Sequence, residues 1–81
     1  MVGSNVRIKP EDISTLRKQF GLSVRKRRQE LGLSQEGLAE RAGLQRTYIS
    51  AVERGIQNIS LVNIDKLAVA LEVEISSLFA D

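Results

Sequence analysis

The sequence predicts an all-α fold, a bundle of five helices built around two short helices that meet at a tight turn. Three observations predict it. No segment alternates apolar and polar residues with period two for long enough to form a sheet. Apolar residues recur instead at three- and four-residue spacings along most of the chain. Residues 34–55 read as two short helices hinged at Gly43, the second with polar side chains on its outward face.

Each element has its own local reason. Residues 1–9 show no periodicity, and an N-terminal extension is drawn over residues 1–12, with the domain proper at 13–81. Pro10, Glu11 and Asp12 make a helix start, because proline suits a first turn and carboxylates suit the positive end of the helix dipole. Leu16, Phe20, Val24 and Leu31 then form one face of a long first helix that Gly32 closes. Gly21 lies within that helix at a cost of about 1 kcal/mol relative to alanine, which makes it the natural point for a break or bend.

Ser34 is an N-cap, with Gln35 and Glu36 opening the next helix. Leu38, Ala39 and Ala42 give that helix one apolar face, and Gly43 ends it in a left-handed conformation. Leu44, Ile49 and Val52 belong to a third helix that runs from about residue 45 to 53 and stops at Gly55. The small Ala39 lets the two helices cross closely. This is a helix-turn-helix, the arrangement that lays its second helix in the major groove of duplex DNA. Residues 56–59 form a loop, and Ser60 caps a fourth helix with the buried stripe Leu61, Ile64, Leu67, Ala68 and Leu71. A last short helix runs from Ile75 to Phe79.

Composition narrows the function classes. A chain of 81 residues makes one domain, and so small a core favours dimerisation. It contains no cysteine and no histidine, which removes disulfides, thiolate zinc sites, cysteine nucleophiles and imidazole bases together. No metal ligands, cofactor motif or catalytic constellation is expected, so the chain does not read as an enzyme. No run approaches the roughly 20 apolar residues of a membrane span, and a cytoplasmic protein without membrane contact is expected. The net charge is only +2, but its distribution is uneven. Residues 7–28 carry eight cations against two carboxylates, whereas residues 57–81 carry one cation against four. The run at 25–28 is either a solvated helix face or a surface for phosphates, and beside a helix-turn-helix the second reading is favoured.

Gly32-Leu-Ser-Gln-Glu, Leu38-Ala, Ala42-Gly43, Tyr48-Ile-Ser50 and Val52-Glu-Arg-Gly55 carry a family resemblance, with residues 58–73 as a second signature. Residues 20–81 resemble the Xre/Cro/C1-type helix-turn-helix domains of phage repressors and bacterial regulators. The resemblance implies a five-helix, lambda-repressor-like DNA-binding domain with a dimerisation helix near its C-terminus. Within the family, residues 46–55 with Gln57, Asn58, Ile59 and Ser60 are similar to the controller proteins of restriction–modification systems.

With Ile49 and Val52 turned to the core, Gln45, Arg46, Thr47 and Ser50 are left to face base edges. Arg46 can present its fork to guanine O6 and N7, or else touch only phosphate. Gln45 either caps the helix or reads adenine. Ser34, Gln35, Tyr48, Arg54, Gln57 and Asn58 are assigned to the DNA phosphates, Gln35 as the clamping glutamine that the resemblance implies. Tyr48 is first a packing residue, with its hydroxyl able to donate. Glu53 is either a surface carboxylate or, as the resemblance implies, the partner of Arg28 in a buried pair.

The expected function is a sequence-specific duplex DNA-binding regulator acting as a homodimer on a palindromic, inverted-repeat operator. Val73, Ile75, Leu78 and Phe79 are the candidate seam, shared with the protomer core in proportions that the sequence leaves open. Resemblance to controller proteins implies control of restriction–modification genes, including its own, from tandem operators, with RNA polymerase as a candidate further partner. The alternatives are a prophage-type repressor and an antitoxin-like subunit that binds a protein partner through residues 1–12.

Overall fold

A computed structural model describes residues 10–79. They form helices α1 (Pro10–Glu30), α2 (Gln35–Ala42), α3 (Arg46–Glu53) and α4 (Leu61–Ala70), closed by a short 3-10 helix, Ile75–Phe79. The fifth helix is thus a 3-10 segment rather than an α-helix. Expectations about residues 1–9 lie outside the described residues, and the boundary drawn between residues 12 and 13 falls inside the first turn of α1.

The caps are local chemistry. Ser34 Oγ accepts from the Gly37 amide at 2.9 Å, and Ser60 Oγ accepts from the Asn63 amide at 3.2 Å. Gly43 takes φ 68°, which lets its own N–H reach Glu40 O and the Leu44 N–H reach Ala39 O. Leu44 therefore sits in the turn, ahead of α3 rather than within it. Gln45 occupies the N-cap position of α3, but its side chain makes no capping bond.

The core is one cluster drawn from every element, in which Val24, Leu38, Ile49, Leu67 and Leu71 are fully buried. The long α1 lies behind α3, α4 packs on α2, and the 3-10 helix seals the gap between α1 and α4. Helix α1 runs without interruption through Gly21, and this glycine has a packing reason. A Cβ there would lie 2.3 Å from Val52 O and 2.8 Å from Glu53 O, so the backbones of α1 and α3 touch at that point.

Three expected positions differ, two of the core and one of the seam. Leu61 has the right angular position for the α4 stripe but is 83% exposed, because at the first turn of α4 nothing packs opposite it. Leu16 is 48% exposed, since the first turns of α1 extend past the body of the bundle. Leu78, placed in the candidate dimer seam, is only 2% exposed. It closes the protomer's own core and is withdrawn from the seam, because a side chain spent inside cannot also meet a partner.

Gly21→Ala is expected to destabilise the fold by about 1–3 kcal/mol in urea denaturation, through overpacking against two backbone carbonyls. Helix propensity alone favours alanine by about 1 kcal/mol. A gain in stability would contradict the close approach.

Candidate nucleic-acid interface

The interface is built on a buried carboxylate. Glu53 is the one charged residue in the core of the described residues. Arg28 Nε donates to Glu53 Oε2 at 2.7 Å, and Arg28 Nη2 donates to Glu53 Oε1 at 3.0 Å. Gln35 Nε2 adds a third bond to Oε1 at 3.1 Å. The remaining Arg28 nitrogen, Nη1, donates to Leu33 O at 2.8 Å, so one guanidinium ties α1 to α3 and to the loop ahead of α2. The hydrogen bond to Glu53 holds the Arg28 pKa above its usual value, against the opposing effect of burial.

The outward face of α3 follows from what the inward face does. Ile49 and Val52 are buried, which leaves Gln45, Arg46 and Thr47 exposed and Ser50 and Ala51 half-buried at its edge. Arg46 Nη1 donates to Gln35 Oε1 at 3.4 Å. Gln35 therefore stands between the buried carboxylate and the first side chain of α3, with one amide proton still available. Ser34 Oγ accepts its capping bond and keeps its own proton to donate. Tyr48 packs half-buried against the core, and its hydroxyl accepts from Asn63 Nδ2 at 3.0 Å, again with a proton left over. Arg54 is exposed beyond the end of α3. Gln57 and Asn58 lie in the loop, where Gln57 Nε2 reaches Asn58 O at 3.5 Å.

The basic run at 25–28 is divided by the fold. Arg28 is consumed by Glu53, while Arg27 Nε donates to Leu71 O at 2.9 Å and its Nη1 meets Glu30 at 3.4 Å. Both arginines hold helices together, so the reading of the whole run as a phosphate surface is corrected: only Arg25 and Lys26 stay exposed. Asn63 carries no signal in the sequence. Its link to Tyr48 joins residues fifteen positions apart, and no local pattern announces it.

A family profile described as Helix-turn-helix matches residues 24–78. The chain belongs to the helix-turn-helix family. This helix-turn-helix protein superposes on the restriction–modification controller protein C.AhdI from Aeromonas hydrophila with a TM-score of 0.76 and 52% identity, covering 78% of this chain and 96% of that one. It is 42% identical over 64 residues to control protein C.MunI from Mycoplasma sp, a match spanning 78% of this chain and 86% of the relative. It also superposes on SinR, a master regulator for biofilm formation solved in complex with DNA, with a TM-score of 0.72 and 34% identity. That match covers 75% of this chain and 98% of the other. These relatives are controller proteins and regulators, not enzymes. Among the described residues, no helix is long and apolar enough to cross a membrane.

Arg28→Ala leaves the Glu53 carboxylate buried without its cation and is expected to cost about 3–5 kcal/mol in urea denaturation. An Arg28→Met, Glu53→Leu double variant should recover most of that loss. Because the folded-state pKa of Arg28 is raised, its contribution is complete below the unfolded value and is lost only as pH rises through the folded one. The Arg28→Ala deficit should therefore be fully present at about pH 9, where protons are too scarce to relieve the unpaired carboxylate. A deficit absent at that pH would contradict the pairing.

Proposed function

We propose that this protein is a sequence-specific regulator of duplex DNA that acts as a homodimer on an inverted-repeat operator and controls restriction–modification genes, its own included. The observation that carries this reading is the outward end of α3, where Gln45, Arg46 and Thr47 stand exposed on a helix held rigid by the Arg28–Glu53 pair. Likeness to the controller proteins C.AhdI and C.MunI supports the gene class, and likeness to SinR, solved with DNA, supports the ligand. With α3 in the major groove, Gln45, Arg46, Thr47 and Ser50 read base edges. Ser34, Gln35, Tyr48, Arg54, Gln57 and Asn58 then fall to the flanking phosphates, which set register without reading sequence.

One protomer reads too few base pairs to be specific in a genome, so two are needed. With Leu78 withdrawn, the seam rests on Ile75 (42% exposed) and Phe79 (45% exposed), beside half-buried Val73. Val69 on α4 lines the same shallow groove as Val73 and Ile75, which extends the apolar face. The protein works in the bacterial cytoplasm, on the nucleoid, and the activating arm of such control brings it beside RNA polymerase.

Selection of the purified protein against random duplex DNA tests the reading. The expected result is an inverted repeat with half-sites about 34 Å apart, one turn of the duplex. Enrichment of no sequence would overturn it. Arg46→Ala should then relax preference at one position per half-site by about 1–3 kcal/mol, leaving the other positions unchanged. Ile75→Glu should sediment as a monomer and lose the cooperative occupation of both half-sites. A dimer that survives this substitution places the seam elsewhere.

A further inference from the structure

Among the described residues the cations fall into two sets. Arg27, Arg28 and Arg41 are each held by a carboxylate and a backbone carbonyl. Arg17, Lys18, Arg25, Lys26, Arg46, Arg54 and Lys66 take part in none of the ion pairs. Three of these, Arg17, Lys18 and Arg54, lie by the turn and loop that follow α3. A Cβ on Gly55 would lie 2.8 Å from Lys18 Cα and 3.0 Å from Lys18 N, so the turn after Arg54 is seated directly on the α1 backbone. One residue earlier, Arg17 lines the same groove as Gln57 and Asn58, above a floor that includes Ile13, Phe20 and Ile64. No acidic residue lines that groove among the described residues.

We propose that Arg17 and Lys18 on α1 join Arg54, Gln57 and Asn58 in a clamp for DNA backbone phosphates beyond the last residue of α3. The inference rests on the DNA-binding reading above. In that reading α3 lies in the major groove, whose edges are phosphate backbones. The turn after Arg54 is seated on α1, so Arg17 and Lys18 extend the donors of that turn along the backbone that passes it. Guanidinium, ammonium and carboxamide groups without a facing carboxylate suit phosphate oxygens. The close contacts at Gly21 and Gly55 set the α1 backbone against the end of α3, which fixes the points from which these cations reach out. Arg17 and Lys18 lie ahead of the matched family span of 24–78, whereas Arg54, Gln57 and Asn58 lie within it.

The test compares wild type with an Arg17→Gln, Lys18→Gln double variant on the selected operator and on an unrelated duplex, across about 50–200 mM salt. For every phosphate that a protomer no longer neutralises, the log–log salt slope should flatten by about 0.9. The double variant is thus expected to lose about two units per protomer, to weaken on both duplexes alike, and to keep the wild-type unfolding midpoint. Lys66→Gln serves as the control, since Lys66 is an exposed cation on α4 with no part in the proposed contacts. An unchanged slope in the double variant overturns the clamp, as does an equal loss in Lys66→Gln, which would indicate only a diffuse field. A second measurement needs no variant to fold alone. Neutral methylphosphonates scanned along the operator should reveal at least one position that weakens wild type but not the double variant, and the absence of any such position also overturns the clamp. Wild type that shows no salt-dependent DNA binding would instead bring down the DNA-binding reading, and the clamp with it.

Discussion

Everything at the outward face depends on one buried ion pair. Glu53 ends α3, and its carboxylate is accessible to nothing but the donors that Arg28 and Gln35 bring to it. Removing such a carboxylate from water costs several kcal/mol, which only a full set of charge-assisted bonds can offset. The pair therefore acts less as added stability than as a requirement of geometry. Helices α1, α2 and α3 must meet at one relative placement for all four bonds of the guanidinium and carboxamide to form. That placement sets the direction in which α3 projects.

Close backbone contact reinforces the same placement. The carbonyls of Val52 and Glu53 rest on α1 at Gly21, and the following turn rests on α1 at Lys18. Neither position has room for a methyl group. The polar and the steric constraints thus act on the same few residues at the end of α3, and the two are mutually supportive. Arg46 feels both indirectly, since Gln35 touches its guanidinium on one side and the buried carboxylate on the other.

A short recognition face has consequences for specificity. Ser50 and Ala51 offer little beyond close approach, and the exposed hydrogen-bonding groups are concentrated in the first turn of α3. In the proposed DNA complex, direct readout from so few side chains is sparse, which gives the bending and groove width of the DNA a larger share.

The parts of this protein that were legible in the sequence are those with local causes. Serine caps at 34 and 60, the left-handed glycine at 43 and the apolar stripe of Ile64, Leu67, Ala68 and Leu71 act within a few residues of themselves. They specified the helix-turn-helix and the order of the elements. Tertiary structure alone decided which apolar positions find a neighbour and which cations stay free. Leu61 and Leu78 are both spaced for burial, yet only Leu78 meets packing across from it. Arg27 and Arg25 are near neighbours in one basic run, yet Arg27 is taken by Leu71 O, forty-four positions away. Gly21 reads as a weakness in one helix and is a contact between two. Periodicity reports the direction in which a side chain points, and only the packed chain decides what lies in that direction.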